Sequence, residues 1–65
     1  MNKIHTQKHP VNVGYAAVGV GQEFWMTING NEIGMVKCDN ANARTASDGT
    51  MRPMLATETV TIFVE

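Results

Sequence analysis

The dipeptide Asn29-Gly30 constrains this chain more than any other pair of residues in it. It stands between two alternating apolar runs, residues 23–28 and 31–37. Asn-Gly is the preferred pair for a two-residue type I′ turn, because both central positions need φ > 0. Such a turn sets the register of the strands it joins. Ile28 then faces Asn31, Thr27 faces Glu32, Met26 faces Ile33, Trp25 faces Gly34 and Phe24 faces Met35. Alternation puts Phe24, Met26, Ile28, Ile33 and Met35 on one face, the expected core. Trp25, the only Trp of the chain, falls on the other face with Thr27 and Glu32. An aromatic ring lying over a cross-strand glycine fills the gap that the glycine leaves.

Strand character extends on both sides of the hairpin. Val11, Val13 and Tyr15 alternate, and Val18 and Val20 continue in the opposite phase, which places a bulge or bend near Gly14 or Gly19. At the C-terminal end Val60, Ile62 and Val64 line a core face, whereas Thr57, Thr59, Thr61 and Phe63 line a half-wet one. Between them, residues 38–53 form a long polar connection. Asp39 could cap a short helix there through Ala41, Ala43 and Ala46, stopped by Gly49, but the Asn and Asp residues equally suit turns. The expected fold is mainly β: a small antiparallel sheet or partly closed barrel of about four strands, near 11–20, 22–29, 31–37 and 56–64, with one long loop or short helix. Residues 1–10 read as a flexible N-terminal arm, and 11–65 as a single small β domain.

A chain of 65 residues buries only about 60% of the surface its unfolded form exposes. Small domains compensate with disulfides, metals or oligomerisation. Cys38 is the only cysteine, so an intramolecular disulfide is excluded, and a free thiol suits a reducing compartment. Charged residues make up 17% of the chain, against a usual share of about 25%. A surface with so few charges resists association weakly. The expectation is a homo-oligomer, or a chain covered by another protein or a larger assembly. No run approaches the roughly 18 apolar residues of a membrane span, and Lys3 and Lys8 precede no signal-like apolar segment. The expected setting is therefore the cell interior, or a particle assembled there, with no membrane partner.

Motifs for chemistry are weak. Gly14 and Gly19 have P-loop spacing, but Val20 stands where lysine is needed, and Gly19-Val20-Gly21 lacks the dinucleotide pattern. His5 and His9 could join Cys38 and Asp39 around a metal only on paper, since Pro10 disfavours helix at His9. Ser47 and Cys38 lack a base other than the N-terminal histidines. Glu23 and Glu32 face Val36 and Thr27 rather than each other. The chain is thus expected to be no enzyme, with no cofactor and no metal. Tyr15, Phe24, Trp25 and Phe63 could stack on single-stranded nucleic acid, with Lys3, Lys8 and Lys37 at its phosphates. The formal charge of −1 and the absence of interleaved basic and aromatic residues argue against such a partner.

What the sequence supports is a non-enzymatic, small β-rich subunit, self-assembling and structural or accessory, of the kind that cements a virion or similar assembly. The alternative is a compact protein-binding module or inhibitor that blocks a larger partner, of a type a phage could encode, or a small-ligand binder at a subunit interface. Trp is enriched at the centre of binding surfaces. Trp25 and Phe63 are the large groups left outside the core face. Arg44, Met51, Arg52 and Met54 form an adaptable apolar and cationic segment in the 38–53 connection. These six residues are the expected interface.

Overall fold

The computed structural model describes residues 8–64. They form one open antiparallel sheet of six strands: β1 (His9–Gly14), β2 (Glu23–Ile28), β3 (Asn31–Lys37), β4 (Asn42–Thr45), β5 (Met51–Pro53) and β6 (Thr59–Val64). The spatial order is β1-β6-β2-β3-β4-β5, so β1 and β5 are the edges. The sheet does not close into a barrel, and it has six strands rather than four. Of the expected arm, residues 1–7 lie outside the described residues, while His9 and Pro10 open β1.

The hairpin of β2 and β3 has the register that its turn dictates, with Trp25 opposite Gly34 and Phe24 opposite Met35. Asn29 takes φ 53 and Gly30 φ 80, the left-handed pair that a type I′ turn requires. The first strand ends earlier than its valines suggest. The chain leaves β1 at Gly14 and makes a 3-10 turn over Tyr15–Ala17, which produces the change of phase between Val13 and Val18.

The 38–53 connection holds neither an unstructured loop nor a helix. It folds as two short strands, with Val36 opposite Arg44 and Ala43 opposite Arg52. Asp39 caps a turn instead: its Oδ1 accepts from the backbone N–H groups of Ala41 and Asn42, both at 2.8 Å. These bonds, Ala41 first, hold its carboxyl below the usual range. Asp48 performs the same service between β4 and β5, accepting from the Thr45 hydroxyl and from the Thr50 N–H. Its pKa falls from 3.8 to about 2, with the Thr45 bond the largest cause. Gly49, at φ 76, ends this turn. Turn-forming residues that could begin and end a helix here close two hairpins.

One face of the sheet carries the core. Tyr15, Val18, Phe24, Met26, Met35, Ala43, Met54 and Val60 are buried together, and Val13, Ile28, Ile33 and Ile62 pack against them. The cover is made of connections rather than a second sheet. Tyr15 and Val18 come from the segment between β1 and β2, and Met54 from the segment between β5 and β6. Backbone bonds tie these segments down: Tyr15 N–H to Glu58 O at 2.8 Å, Ala16 N–H to Ala56 O at 3.1 Å, and Met54 N–H to Ala41 O at 2.8 Å. Fully burying side chains such as Phe24, Met35 and Val60 contributes about 1.5–3 kcal/mol each.

Candidate functional site: the open aromatic face

The β-pleat sends alternate residues to opposite faces, and the two faces differ sharply. Opposite the core lie Pro10, Asn12 and Gly14 of β1, Thr59, Thr61 and Phe63 of β6, Glu23, Trp25 and Thr27 of β2, and Glu32, Gly34 and Val36 of β3. Across the rest of the sheet come Asn42, Arg44, Met51 and Pro53. Every one of them is exposed or half-exposed. No described segment lies over this face.

Trp25 and Phe63 meet at its centre. Their ring centroids are 6.4 Å apart with planes at 89°, an edge-to-face pair. The neighbouring strands β2 and β6 bring them together by pairing Trp25 with Thr61, two residues before Phe63. The indole is seated on Gly34. A Cβ built at that glycine would stand 2.8 Å from Cζ3 and 3.0 Å from Cη2 of Trp25, so only glycine gives the ring this seat. Phe63 retains 44% of its exposure. Shallow hollows flank the indole. One, of about 410 Å³, is lined by Lys8, Gln22, Glu23 and Phe63. The other, of about 420 Å³, is lined by Glu32, Gly34, Ala46 and Ser47. The result is an apolar centre with a polar rim of mixed charge, the anatomy of a protein contact surface.

The other expected interface residues are dispersed. Arg44 and Met51 pair across β4 and β5 on the open face, with Met51 56% exposed. They stand towards the far edge of the sheet from Phe63, Arg44 three strands and Met51 four strands removed. Arg52 lies on the core side, its Nη2 3.9 Å from Glu58 Oε2. Met54 is 5% exposed in the core, where it packs over the sheet instead of offering a contact. A methionine following a proline in a polar connection looks like surface. The Met54 N–H bond to Ala41 O is what turns it inward.

Lys37, considered above for phosphate contact, is also on the core face and only 3% exposed. Its Nζ donates to the Tyr15 carbonyl at 3.2 Å and stands 4.7 Å from the centroid of the Tyr15 ring, a cation–π arrangement in a dry setting. Tyr15 and Phe24, also considered for stacking on bases, form the buried aromatic pair at 5.4 Å. The Tyr15 hydroxyl shares its proton between the carbonyls of Asp39 and Asn42, each at 2.8 Å. Burial pushes its pKa up, with Asp39 adding to the effect, so it stays a donor. Lys3 and His5 lie outside the described residues.

For chemistry, the described residues bring no three of His, Cys, Asp and Glu together around a cation position. Cys38 is a half-buried free thiol whose Sγ donates to the Val36 carbonyl at 3.9 Å. Among the described residues no helix is long and apolar enough to cross a membrane. Comparison of the chain with family models, curated proteins and solved structures finds no match, so the open aromatic face stands on its own geometry.

Proposed function

We propose that the protein is a non-enzymatic, self-assembling β subunit, structural or accessory in role, whose open face is a contact surface. The observation that carries this reading is the Trp25–Phe63 pair, seated on Gly34 at the centre of a face that no part of the described chain covers. A neighbouring copy supplies the missing layer. The composition supports a like partner. With 17% charged residues and a formal charge of −1, two copies approach with little net repulsion. Lys8 and Glu23 beside the aromatic pair can meet in exchanged pairs across a two-fold axis. A virion-cement or similar accessory role is the most concrete form of this proposal.

A second reading has one specific observation behind it. The hollows flanking Trp25 can receive side chains of a foreign protein, which makes the chain a compact binding module or inhibitor. Solution mass over a dilution series separates the two. Self-assembly requires an oligomer whose mass falls on dilution or in Trp25→Ala, with the far-ultraviolet β signature retained. A strict monomer at every concentration excludes self-assembly and leaves the binding module, to be pursued with the protein as bait.

A further inference from the structure

We infer that β1 is a second assembly surface, a sheet edge that pairs antiparallel with β1 of another copy about a two-fold axis at Asn12. The inference rests on the self-assembly reading and names one of its contacts. The two edges of the sheet are unequal. β5 is three residues long and ends in Pro53, a blunted edge of the kind that resists pairing. β1 is six residues long, and after Pro10 it holds only Val11, Asn12, Val13 and Gly14. Pro10 aside, it lacks among the described residues the charges, the bulge and the cover that protect an edge.

The pattern of its free backbone groups follows from the pairing with β6. Tyr15 continues the β1 register one step beyond Gly14↔Thr59, and its N–H donates to Glu58 O at 2.8 Å. Hydrogen bonding alternates along an antiparallel pair. His9, Val11 and Val13 therefore turn their backbone groups towards β6. Asn12 and Gly14 turn N–H and C=O outwards, and Pro10 turns out its C=O alone. Gly14 is still extended, at φ −72 and ψ 149, so the edge is straight to its last residue.

Within β1, one self-pairing register gives each of these donors a partner over the longest overlap. With Asn12 opposite Asn12 of the second copy, the two exchange their N–H···O bonds. Each Gly14 N–H meets the Pro10 carbonyl of the other copy, and the proline nitrogen, which has nothing to donate, falls opposite a Gly14 carbonyl. Sliding the strands by two residues one way sets Asn12 against Gly14 and serves the same donors over a shorter overlap that leaves Pro10 out, and sliding them the other way carries Gly14 beyond β1, opposite Lys8. The same register places Val11 beside Val13 of the second copy on the core-side face. Val11 is 37% and nearby Val64 39% exposed there, so edge pairing also removes apolar surface from water. The two sheets join into one, and the Trp25–Phe63 face stays free for its own contact.

Amide hydrogen exchange read residue by residue at high and low protein concentration, together with sedimentation of Asn12→Pro and Asn12→Ala, tests this. Proline at position 12 removes an outward N–H, which an edge strand tolerates, together with the Asn12 side chain. Alanine keeps the N–H and loses the bond that the Thr61 hydroxyl donates to Asn12 Oδ1. The expected result is slow exchange at Asn12 and Gly14 that speeds up on dilution. The mass of Asn12→Pro should be at most half that of wild type and Asn12→Ala at matched concentration. If Asn12→Pro fails to fold, the wild-type exchange pattern decides alone. An assembled wild type whose Asn12 and Gly14 amides exchange freely, or a folded Asn12→Pro of unchanged mass, overturns edge pairing and leaves self-assembly through the Trp25 face standing. A wild type that is monomeric at every concentration overturns both.

Discussion

Phe24 and Trp25 are neighbours in the chain, and each is half of an edge-to-face aromatic pair. Their fates are opposite. Phe24 meets Tyr15 under a cover made by the connections after β1 and β5, and both rings are fully buried. Trp25 meets Phe63 under no cover from the described chain, and Phe63 keeps 44% of its surface. The chemistry of the two pairs is alike, so the difference lies in what the chain has left to cover them with. A chain of this length can cover one face of a six-stranded sheet with its own loops. The buried pair holds the fold together. The open pair is the apolar area that the proposed assembly would cover.

The largest effect should come from breaking the buried pair. Phe24→Ala empties the centre of the core and is expected to cost about 3–5 kcal/mol, which is enough to unfold a marginal domain; thermal melting will show this. If the variant melts near wild type, the core assignment is wrong. Tyr15→Phe is gentler. It keeps the ring but strips the hydroxyl's bonds to the part-buried carbonyls of Asp39 and Asn42. Of these, Asn42 O keeps the N–H groups of Cys38 and Asp39. The variant should therefore lower the melting point by the worth of an ordinary hydrogen bond, about 0.5–1.5 kcal/mol.

On the open face the order of effects reverses. Trp25→Ala should cost only about 1–2 kcal/mol in stability, since the ring is half-buried and its loss removes one aromatic pair, yet the contact through this face should be lost and the mass in light scattering should fall. A Trp25→Ala protein as unstable as Phe24→Ala would show that the two faces are equally core. Gly34→Ala sharpens the point further. Its Cβ would stand 2.8 Å from the indole, so the ring must lift. Because Trp25 is the only Trp, its fluorescence reports the movement without interference, and a shifted emission maximum with a nearly unchanged melting point is expected.

The smallest effect concerns the β4–β5 turn, which holds Arg44 and Met51 in place on the open face. Asp48 has its pKa lowered from 3.8 to about 2 when folded. A depressed carboxyl stabilises the fold above its unfolded value and loses that contribution as pH falls through the folded one. Stability should therefore decline between about pH 4 and pH 2, and Asp48→Asn should flatten that part of the curve. Asp39 adds to the decline in the same direction. An identical acid limb in Asp48→Asn would mean that the carboxylate does not hold the turn.

The legible parts of this molecule are those governed by nearest neighbours. Asn29-Gly30 specifies a turn, the turn specifies a register, and the register seats Trp25 on Gly34. The β4–β5 hairpin had a weaker turn signal in Asp48-Gly49, where Gly49 takes the positive φ and the loop is longer. The three-residue β5 after it is too short to show alternation, and the helix-favouring alanines Ala41, Ala43 and Ala46 masked it. Met54 and Lys37 were misleading for another reason. Residue type says how costly burial is, not whether a distant carbonyl or ring is waiting, and for Lys37 both come from Tyr15.

By itself the sequence determined which residues alternate, where the central hairpin turns, and that Trp25 and Phe63 stand apart from the core stripe. Only the tertiary structure decided that β6 inserts between β1 and β2. That insertion brings Phe63 to Trp25 and leaves β1 as an edge. The physical reason is that strand pairing is made by backbone N–H and C=O groups, which every residue carries alike. Local turn chemistry is written in side chains. The choice of a distant partner strand emerges only when the whole chain competes to bury its apolar face.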